Sequence, residues 1–443
     1  MRQNRRTIAI AALTTMAVLL VSACGGGAAQ DTGGAPDGTK APTGGDPVTI
    51  TYLHRLPEPD GAVSVKEITD RWNAEHPDIQ VEASAFLGSA DEMGVRLEAD
   101  IKAGVGPCLA QVGYSELPEF YVRGLVSDVT KEAAPFEQYF SPGSWAAMNV
   151  GGAQLGVPQD AGPMVFFYDA AEFERLGIEV PTTPEEFVDA ARVVAADGKF
   201  MDAFSADNAS IVAALSAAAG DKWFNTDDDQ WRVETDGPGS RSVAAFYQQL
   251  LDDDLVLRAS RWSDDFAAAL NEGTLVGYIG AGWNAGFMLD AVDGSEHEGD
   301  WRIAPIPDFG AGGVTAPDGG SGVAVMSGCE HPAEAMAFNG WLNQQVDDLA
   351  TQGLITVSHE VPKTSERSLR QFGGQDVMKV LVEATGDLTT DFQYAPGMEA
   401  MFTAMQPVLA DAAEGDRPVA DALSTARETA VARLLDVGLP VAE

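Results

Sequence analysis

The sequence predicts an α/β fold in which parallel strands are flanked by helices. Residues 48–52 alternate between apolar and polar side chains, as a half-buried strand does. Apolar side chains then recur at helical spacing over residues 65–72, and short apolar runs at 79–81 and 109–112 enclose a second helical pattern. Because a helix between two strands favours parallel pairing of those strands, this order indicates βαβ units.

The later part of the chain continues the alternation of helices and strands. Thr183 is a predicted N-cap, Pro184 suits the first helical position, Glu186 completes a capping box, and Gly198 ends the helix. The remaining elements predicted from apolar patterns are strands at 276–279 and 323–326 and helices that begin at Pro332 and Pro418.

Composition and charge limit the class of protein. Apolar residues make up 45% of the 443 residues and charged residues 21%, as in globular domains. The formal net charge of −40 would repel the phosphates of nucleic acids and of anionic lipids. We therefore expect no nucleic-acid partner.

The N-terminus predicts an export signal rather than a folded segment. Three arginines within residues 2–6 precede an apolar run at 8–20, which is too short for a comfortable membrane span. The run ends in Leu-Val-Ser-Ala-Cys, which resembles the cleavage site of bacterial lipoproteins. Residues 1–23 are therefore the predicted signal peptide, with Cys24 as the acylated residue. An ordinary secretory signal with an incidental cysteine is the alternative.

Residues 24–46 are predicted to form a flexible tether. They are rich in glycine and contain almost no apolar side chains, so they cannot offset the entropy of ordering. No later segment is apolar for long enough to span a bilayer, which excludes a permease. Signal, anchor and tether together place the folded part on the outer face of the cytoplasmic membrane.

Two cysteines remain after Cys24. Cys108 and Cys329 are 221 positions apart in the sequence, and an exported protein meets an oxidising environment. Either a disulfide or two buried free thiols is consistent with this count.

Several segments, taken together and in order, resemble the family 1 extracellular solute-binding proteins. Asp169-Ala170 and Pro184 depart from the residues usual in that family, and Gly106-Pro107-Cys108 looks like an actinobacterial subgroup in which a second Gly-Cys is expected in the same lobe. The resemblance thus favours the disulfide with Cys329. The segments that carry it are Trp72–Val81, Leu155–Asp169, Gly177–Thr183, Asn271–Gly273 with Gly280–Trp283, Trp301–Pro307 with Asp318–Ser321, and the helices around Glu414–Asp416.

The resemblance implies a two-lobed periplasmic-binding-protein-like fold of type II, each lobe a mostly parallel sheet flanked by helices. One lobe would contain residues 46–155 and 304–358, and the other 156–303 and 359–443. It further implies a monomer that binds a mono- or oligosaccharide in the cleft by hinge closure. The sugar would pass to the permease of an ABC importer, and neither a cofactor nor catalysis would be involved.

Recognition of a sugar needs aromatic planes for its C–H faces and short polar groups for its hydroxyls. Residues of these types follow strand ends and turns in the segments that match the family's cleft, where open α/β sheets place ligands. The predicted ligand-binding residues are His54, Arg55, Tyr114, Gln159, Asp160, Trp283, Asn284, Gly320, Ser321 and Tyr394.

Two other functions remain open at this point. The same fold could bind an anionic ligand such as a glycerol phosphate ester, with Gly319-Gly320 around the phosphate and Arg55 as the counter-charge. A secreted carbohydrate-active hydrolase is the second. However, the sequence around Ser321 lacks the final glycine of a nucleophile elbow, and the five histidines show no metal-ligand spacing. We therefore predict neither catalytic residues nor a metal site.

Overall fold

The computed structural model describes residues 47–56, 58, 62–389 and 392–442. The predicted signal peptide, Cys24 and the tether lie outside these residues. Within them, no helix is both long enough and apolar enough to cross a membrane.

Thirteen strands occur in the described part of the chain, and most are short. The longest, β6, has 14 residues. In chain order they are β1 (Val48–His54), β2 (Ile79–Ala85), β3 (Leu109–Gly113), β4 (Asn149–Val150), β5 (Ala153–Gln154), β6 (Gly156–Asp169), β7 (Asp202–Phe204), β8 (Phe224–Asp227), β9 (Gln230–Val233), β10 (Val256–Arg258), β11 (Gly277–Ala281), β12 (Trp301–Pro305) and β13 (Pro317–Val325).

Helices connect and cover these strands, and two 3-10 turns lie at Ala134–Tyr139 and Gly282–Asn284. The helices are α1 (Val65–Glu75), α2 (Ala90–Lys102), α3 (Leu117–Val122), α4 (Thr130–Ala133), α5 (Pro142–Ala147), α6 (Ala170–Leu176), α7 (Pro184–Ala196), α8 (Ser210–Ala218), α9 (Pro238–Asp252), α10 (Asp264–Asn271), α11 (Ala285–Val292), α12 (Pro332–Leu342), α13 (Val346–Thr351), α14 (Glu366–Gln371), α15 (Val377–Gly386), α16 (Met398–Glu414) and α17 (Asp421–Asp436).

Seven strands form the main sheet, with the order β11-β6-β13-β3-β1-β2 and with β12 also paired to β6. The parallel pairing that the sequence predicts is present between β1 and β2, between β1 and β3, and between β7 and β10. In contrast, β13 is antiparallel to β3 and β6, and both β11 and β12 are antiparallel to β6. The expectation of mostly parallel sheets is therefore corrected to a mixed sheet. Its parallel strands come from the local βαβ units, whereas β11–β13 return from distant parts of the chain.

Strand β6 pairs with different strands along its length. Its first residues, 156–163, pair with β13, and its last residues, 164–169, pair with β11 and β12. Most of the strand is buried, which explains its run of apolar residues. One chain segment therefore joins β13 to the pair β11 and β12 within one sheet.

The helix ends agree closely with their sequence signals. At α1, Ser64 and Glu67 form a capping box, and the helix ends before Pro77. At α7, the Thr183 side chain accepts a hydrogen bond from the N–H of Glu186, as predicted, but the Glu186 carboxylate binds Thr182 instead of completing the box with Thr183. The last helix begins at Asp421, three residues after Pro418.

A disulfide joins Cys108 to Cys329, with 4.6 Å between their Cα atoms. Cys108 precedes β3 and Cys329 follows β13, and β3 and β13 are neighbours in the sheet. The bond therefore ties together the ends of two paired strands that are far apart in the sequence. This confirms the pairing that the resemblance favours.

Candidate functional site

A cavity of about 1020 Å³ opens beside β13 and the middle of β6. Its walls come from both predicted lobes, because Arg55 and Gln111 line it together with Ser210, Arg261 and Trp283. This volume lies at the upper end of the range typical of small-molecule sites. The cavity can therefore enclose a ligand larger than one sugar ring.

Asp160 lies in the wall of this cavity at the middle of β6. The side chain is buried, and its Oδ1 atom accepts hydrogen bonds from the backbone N–H of Ser321 at 2.8 Å and from the Ser321 hydroxyl at 2.5 Å. Burial raises the pKa of Asp160 to about 6, although both bonds from Ser321 and the charge of Arg55 oppose the shift. Because Ser321 occupies Oδ1, the Oδ2 atom is left to accept a hydrogen bond from a ligand.

The adjoining part of β13 owes its path to two glycines. Gly319 and Gly320 have φ values of +80° and +93°, and the pairing of β13 with β6 shifts register around them. A Cβ on Gly320 would approach the ring of Tyr114 to 2.9 Å. Only glycine therefore allows Asp318 and Ser321 to face the same cavity from one distorted strand.

Trp283 is one of the aromatic residues that line the cavity. It follows β11, and its indole N–H donates to the carbonyl oxygen of Asp318 at 2.9 Å. The ring of Trp262 lies nearly parallel to it, with 6.1 Å between centroids and an interplanar angle of 16°. The guanidinium of Arg261 is 4.7 Å from the centre of the Trp283 ring, within cation–π range. These contacts fix the orientation of the Trp283 plane.

A buried ion pair stands next to this aromatic pair. Arg261 and Asp318 are 3.2 Å apart, and their side chains are only 11% and 3% exposed. The Asp318 carboxylate also accepts a hydrogen bond from the Ser210 hydroxyl at 2.5 Å. A pair this well buried stays ordered, because separating it would leave a charge without compensation.

Arg55 also lines the cavity, and a neighbouring carboxylate balances its charge. It lies 3.2 Å from the Glu116 carboxylate, which accepts a further hydrogen bond from the backbone N–H of Gly113 at 2.7 Å. Gln111 links this group to Ser321, since its amide donates to the Ser321 hydroxyl at 3.1 Å. Arg55 is thus part of a polar network and is not an isolated cation.

Comparison with known proteins agrees with this geometry. Residues 57–345 match the family model described as bacterial extracellular solute-binding protein. The chain belongs to this family. The family resemblance predicted from the sequence is therefore confirmed.

Solved structures similar to this solute-binding protein are binding proteins of ABC transporters. The galacto-N-biose/lacto-N-biose I-binding protein of Bifidobacterium longum, solved with lacto-N-biose, is 42% identical, with a TM-score of 0.87 over 90% of this chain and 100% of that one. A binding protein of B. animalis subsp. lactis, solved with β-1,6-galactobiose, is 23% identical, with a TM-score of 0.76 over 90% of this chain and 100% of that one. These likenesses confirm the two-lobed type II fold.

A curated relative adds information on the class of protein. An uncharacterised lipoprotein of Streptomyces antibioticus is 26% identical over 353 residues, which cover 77% of this chain and 72% of the relative. The relative is thus a lipoprotein that matches most of the length of this solute-binding protein.

Six of the ten residues predicted from the sequence line the cavity of this solute-binding protein. Arg55, Asp160 and Trp283 have been described above. The other three are Gly320, Ser321 and Tyr394. Tyr394 packs against Phe392, which also lines the cavity, with 5.0 Å between ring centres.

The other four predicted residues lie outside the cavity wall, and each has a different environment. Tyr114 donates its hydroxyl hydrogen to the carbonyl oxygen of Asp160 at 2.9 Å, so it supports the wall from behind. His54 is buried, and its Nδ1 accepts from the N–H of Leu56 at 3.3 Å. The remaining two are Gln159, which donates to the side chain of Asn343 at 3.0 Å, and Asn284, which is buried before α11.

Most residues of the cavity wall are absent from the predicted set, and three of them, Asp318, Arg261 and Trp262, form the contacts around Trp283. Asp318 was visible only as part of the family segment, and the arginine and tryptophan at 261 and 262 lie in a polar stretch without a recognisable motif. Asp318 could have been predicted from its position directly before Gly319-Gly320. A charged residue beside such a turn is a candidate for binding, because binding residues often lie on loops held by strand ends.

Asp169, His297 and Asp300 bring three potential metal-ligand atoms within 4.8 Å of one another. His297 Nδ1 is 3.2 Å from Asp169 Oδ2, while Asp169 Oδ1 caps α6 by accepting from the N–H of Glu172 at 3.0 Å. The contacts of the buried Asp169 carboxylate thus hold the 297–300 loop against the start of α6. The sequence spacing of His297 gave no sign of this grouping.

Proposed function

We propose that the protein is the carbohydrate-binding subunit of an ABC importer and that its ligand is a neutral disaccharide. The observation that carries this proposal is the combination, in one cavity, of the Trp283 plane with the buried Asp160 carboxylate. A sugar ring can stack its C–H face on the indole while its hydroxyls donate to Asp160 Oδ2. Closure around the ligand is favoured because the enclosed state supplies both contacts at once.

The ligand class is suggested by the 42% identical protein, which is named for galacto-N-biose and lacto-N-biose. That likeness extends over 90% of this chain, so it includes the segments that form the cavity. We therefore propose a disaccharide of galactose and an N-acetylhexosamine as the first ligand to test.

The charges of the cavity support a neutral ligand over a phosphate ester. Among the described residues, the lining includes the three arginines Arg55, Arg261 and Arg367 and five carboxylates. Each arginine lies within 3.2 Å of a carboxylate oxygen. A phosphate would have to compete with these carboxylates in a cavity that is net negative, whereas hydroxyl groups can bind without breaking an ion pair.

The division into lobes remains part of the proposal. Separate packing supports it, because Ile50 and Val325 of the first set belong to a different hydrophobic cluster from Phe187 and Leu423 of the second. The pairing of β6 with β13 up to Pro163 supports a crossover within β6 rather than before residue 156. Binding and release by hinge closure, without any chemical step, is the action proposed for this arrangement.

We also propose that Cys24 carries a lipid anchor and that the monomeric protein works on the outer face of the membrane, where it delivers sugar to a permease. The extracellular family and the lipoprotein relative support this location. Mass spectrometry of the protein extracted from membranes tests it. Acylation of Cys24, and release of C24S into the medium, are expected; an unmodified Cys24 in membrane-bound protein would contradict the anchor.

Isothermal titration calorimetry tests the ligand. The panel contains lacto-N-biose, galacto-N-biose, lactose, maltose and sn-glycerol 3-phosphate, each with the wild type, W283A and D160N. We expect binding of one or both N-acetylhexosamine disaccharides, weakened in both variants, and no response to the phosphate ester. Absence of heat with every carbohydrate, from protein shown to be folded, would refute the assignment to sugars.

A further inference from the structure

A second, much smaller cavity lies behind the wall of the ligand cavity. Asn208, Tyr247 and Tyr278 line it with polar side chains, and most of its other lining residues are apolar. It leaves about 10 Å³ for the centre of a water molecule, close to the minimum that one water requires. Tyr278 belongs to β11, the strand that leads to Trp283.

Polar atoms around this small cavity are short of hydrogen-bond partners. Tyr247 Oη and Asn208 Nδ2 are buried without a partner among the described residues, and the buried Tyr278 Oη has only its contact with the Arg261 side chain. An unsatisfied buried polar group costs about 1 to 3 kcal/mol, so two around one cavity are unusual in a native protein. An occupant that both donates and accepts hydrogen bonds would satisfy them, and water is the smallest such molecule.

A buried carboxylate acts electrostatically on the same two phenols. Asp202 is 0% exposed, and its Oδ1 atom accepts from the N–H groups of Ala203 at 2.8 Å and Ile279 at 3.0 Å. Its Oδ2 atom has no partner among the described residues. Burial and then the charge of Asp202 raise the pKa of Tyr247, and Asp202 acts on Tyr278 in the same direction. Asp202 is therefore an electrostatic neighbour of both hydroxyls.

Arg261 is the group that connects Tyr278 to the ligand cavity. Its charge lowers the pKa of Tyr278, which burial raises to about 12. The Arg261 Nε atom is buried without a partner, whereas its Nη1 is 3.2 Å from Asp318. Tyr278 thus interacts electrostatically with both Asp202 and Arg261. Asp202 Oδ2 and Arg261 Nε are the atoms of these two residues that lack a geometric hydrogen bond.

We propose that the small cavity holds one ordered water molecule, through which ionised Asp202 orients the Tyr278 hydroxyl and so positions Arg261 against Asp318 in the wall of the ligand cavity. Arg261 Nε–H donates to Tyr278 Oη, Tyr278 O–H donates to the water, and the water donates to Asp202 Oδ2. Asn208 Nδ2 donates to the same water, and the water's second hydrogen binds Tyr247 Oη. Asp202 and Tyr278 are positioning residues in this scheme, since neither lines the ligand cavity.

The direction of this hydrogen-bond chain depends on the charge of Asp202. Burial raises the pKa of Asp202 to about 7, against two backbone hydrogen bonds that lower it. When Asp202 is protonated, it donates to the water, and the Tyr278 hydroxyl no longer has an acceptor on that side. The titratable and charged groups that bear on Asp202 are Tyr247 from α9, Tyr278 from β11, and beyond them Arg261 and Asp318. Arg261 should therefore lose its support as the pH falls through about 7.

The first test does not depend on any ligand. A high-resolution crystal structure of the purified protein should show one peak of density between Tyr247, Tyr278 and Asn208, with two to four polar neighbours at hydrogen-bond distance. An empty cavity overturns the proposal. So does a peak whose shorter contacts and higher density identify a metal cation.

The second test uses lacto-N-biose as the probe and rests on the proposed function. The dissociation constant is measured by calorimetry from pH 5 to 8.5 for the wild type, D202N, Y278F and the control D169N, which alters a buried aspartate outside both cavities. The wild type and D169N should lose affinity about two- to tenfold in a step centred near pH 7, the effect of one hydrogen bond. D202N should lack this step but keep the step near pH 6 that belongs to Asp160, whereas Y278F should bind weakly at every pH.

A step near pH 7 that persists in both D202N and Y278F overturns the proposal. If no sugar binds, the fluorescence of the Trp262–Trp283 pair beside Arg261 is titrated without ligand over the same range. A transition near pH 7 that D202N and Y278F abolish then supports the positioning network even though the sugar assignment has failed. Its presence in both variants refutes the network independently of any ligand. Because Y278F removes only a hydroxyl, it keeps the test valid if D202N does not fold.

Discussion

Replacing Asp160 with asparagine should change how the stability of the protein depends on pH. Burial raises the pKa of this carboxyl from 3.8 to about 6 in the folded protein, and a difference of this size corresponds to about 3 kcal/mol. Between these two pH values the folded state holds a proton that the unfolded state has lost. The folded state is therefore stabilised as the pH falls, and the contribution is lost as the pH rises through about 6.

Urea unfolding of the wild type and D160N at about pH 7.5 and about pH 4.5 measures this effect. The difference between the two proteins cancels the contributions of all other titrating groups. Relative to D160N, the wild type should gain about 2 kcal/mol on going to the lower pH, which is the part of the total that this window covers. A difference that stays constant across the window would show that Asp160 titrates normally, and it would refute the inference that the carboxylate is desolvated in the folded protein.

Three further substitutions have defined outcomes. W283A removes the stacking plane of the ligand cavity and should weaken lacto-N-biose binding about tenfold or more in calorimetry, with an unchanged far-ultraviolet circular dichroism spectrum; wild-type affinity would argue against stacking. C329S opens the disulfide across 221 residues and should lower the free energy of unfolding by at most about 5 kcal/mol in urea titrations under non-reducing conditions, whereas no change would mean that the bond adds no constraint. G320A places a Cβ at a φ of +93° and against a tyrosine ring, and should lower the free energy of unfolding by about 1 to 3 kcal/mol. Its control is G143A, where a Cβ meets nothing within 4 Å. Equal free energies of unfolding for the two variants would contradict the requirement for glycine.

Local patterns were sufficient for the elements of the first part of the fold. The strand and helix signals over residues 48–112 correspond to β1, α1, β2, α2 and β3, because each depends on periodicity and capping within a few residues. The antiparallel arrangement around β6 was not predictable in the same way. It depends on which distant strands return beside β6, and no local pattern in β11, β12 or β13 encodes a partner.

The candidate site shows the same division between local and distant information. Asp160 and Trp283 could be predicted because they stand in segments that resemble the family, and both line the cavity, although the turn expected before Asp160 is part of β6. His54 and Asn284 also follow turns or strand ends, but their side chains are buried away from the cavity. Sequence position therefore identifies the end of a strand, whereas the direction of the side chain depends on the pleat and on the packing of neighbouring elements.

Asp318 indicates how ligand binding and lobe closure can depend on one another. It belongs to the first proposed lobe, yet its carboxylate binds Arg261 and Ser210, and its backbone carbonyl accepts from Trp283, all from the second proposed lobe. Under the proposed division, these contacts join the two lobes beside the cavity. We therefore propose that a ligand stacked on Trp283 favours the arrangement in which the same contacts are made. This differential interaction is what a ligand needs in order to shift the equilibrium towards closure.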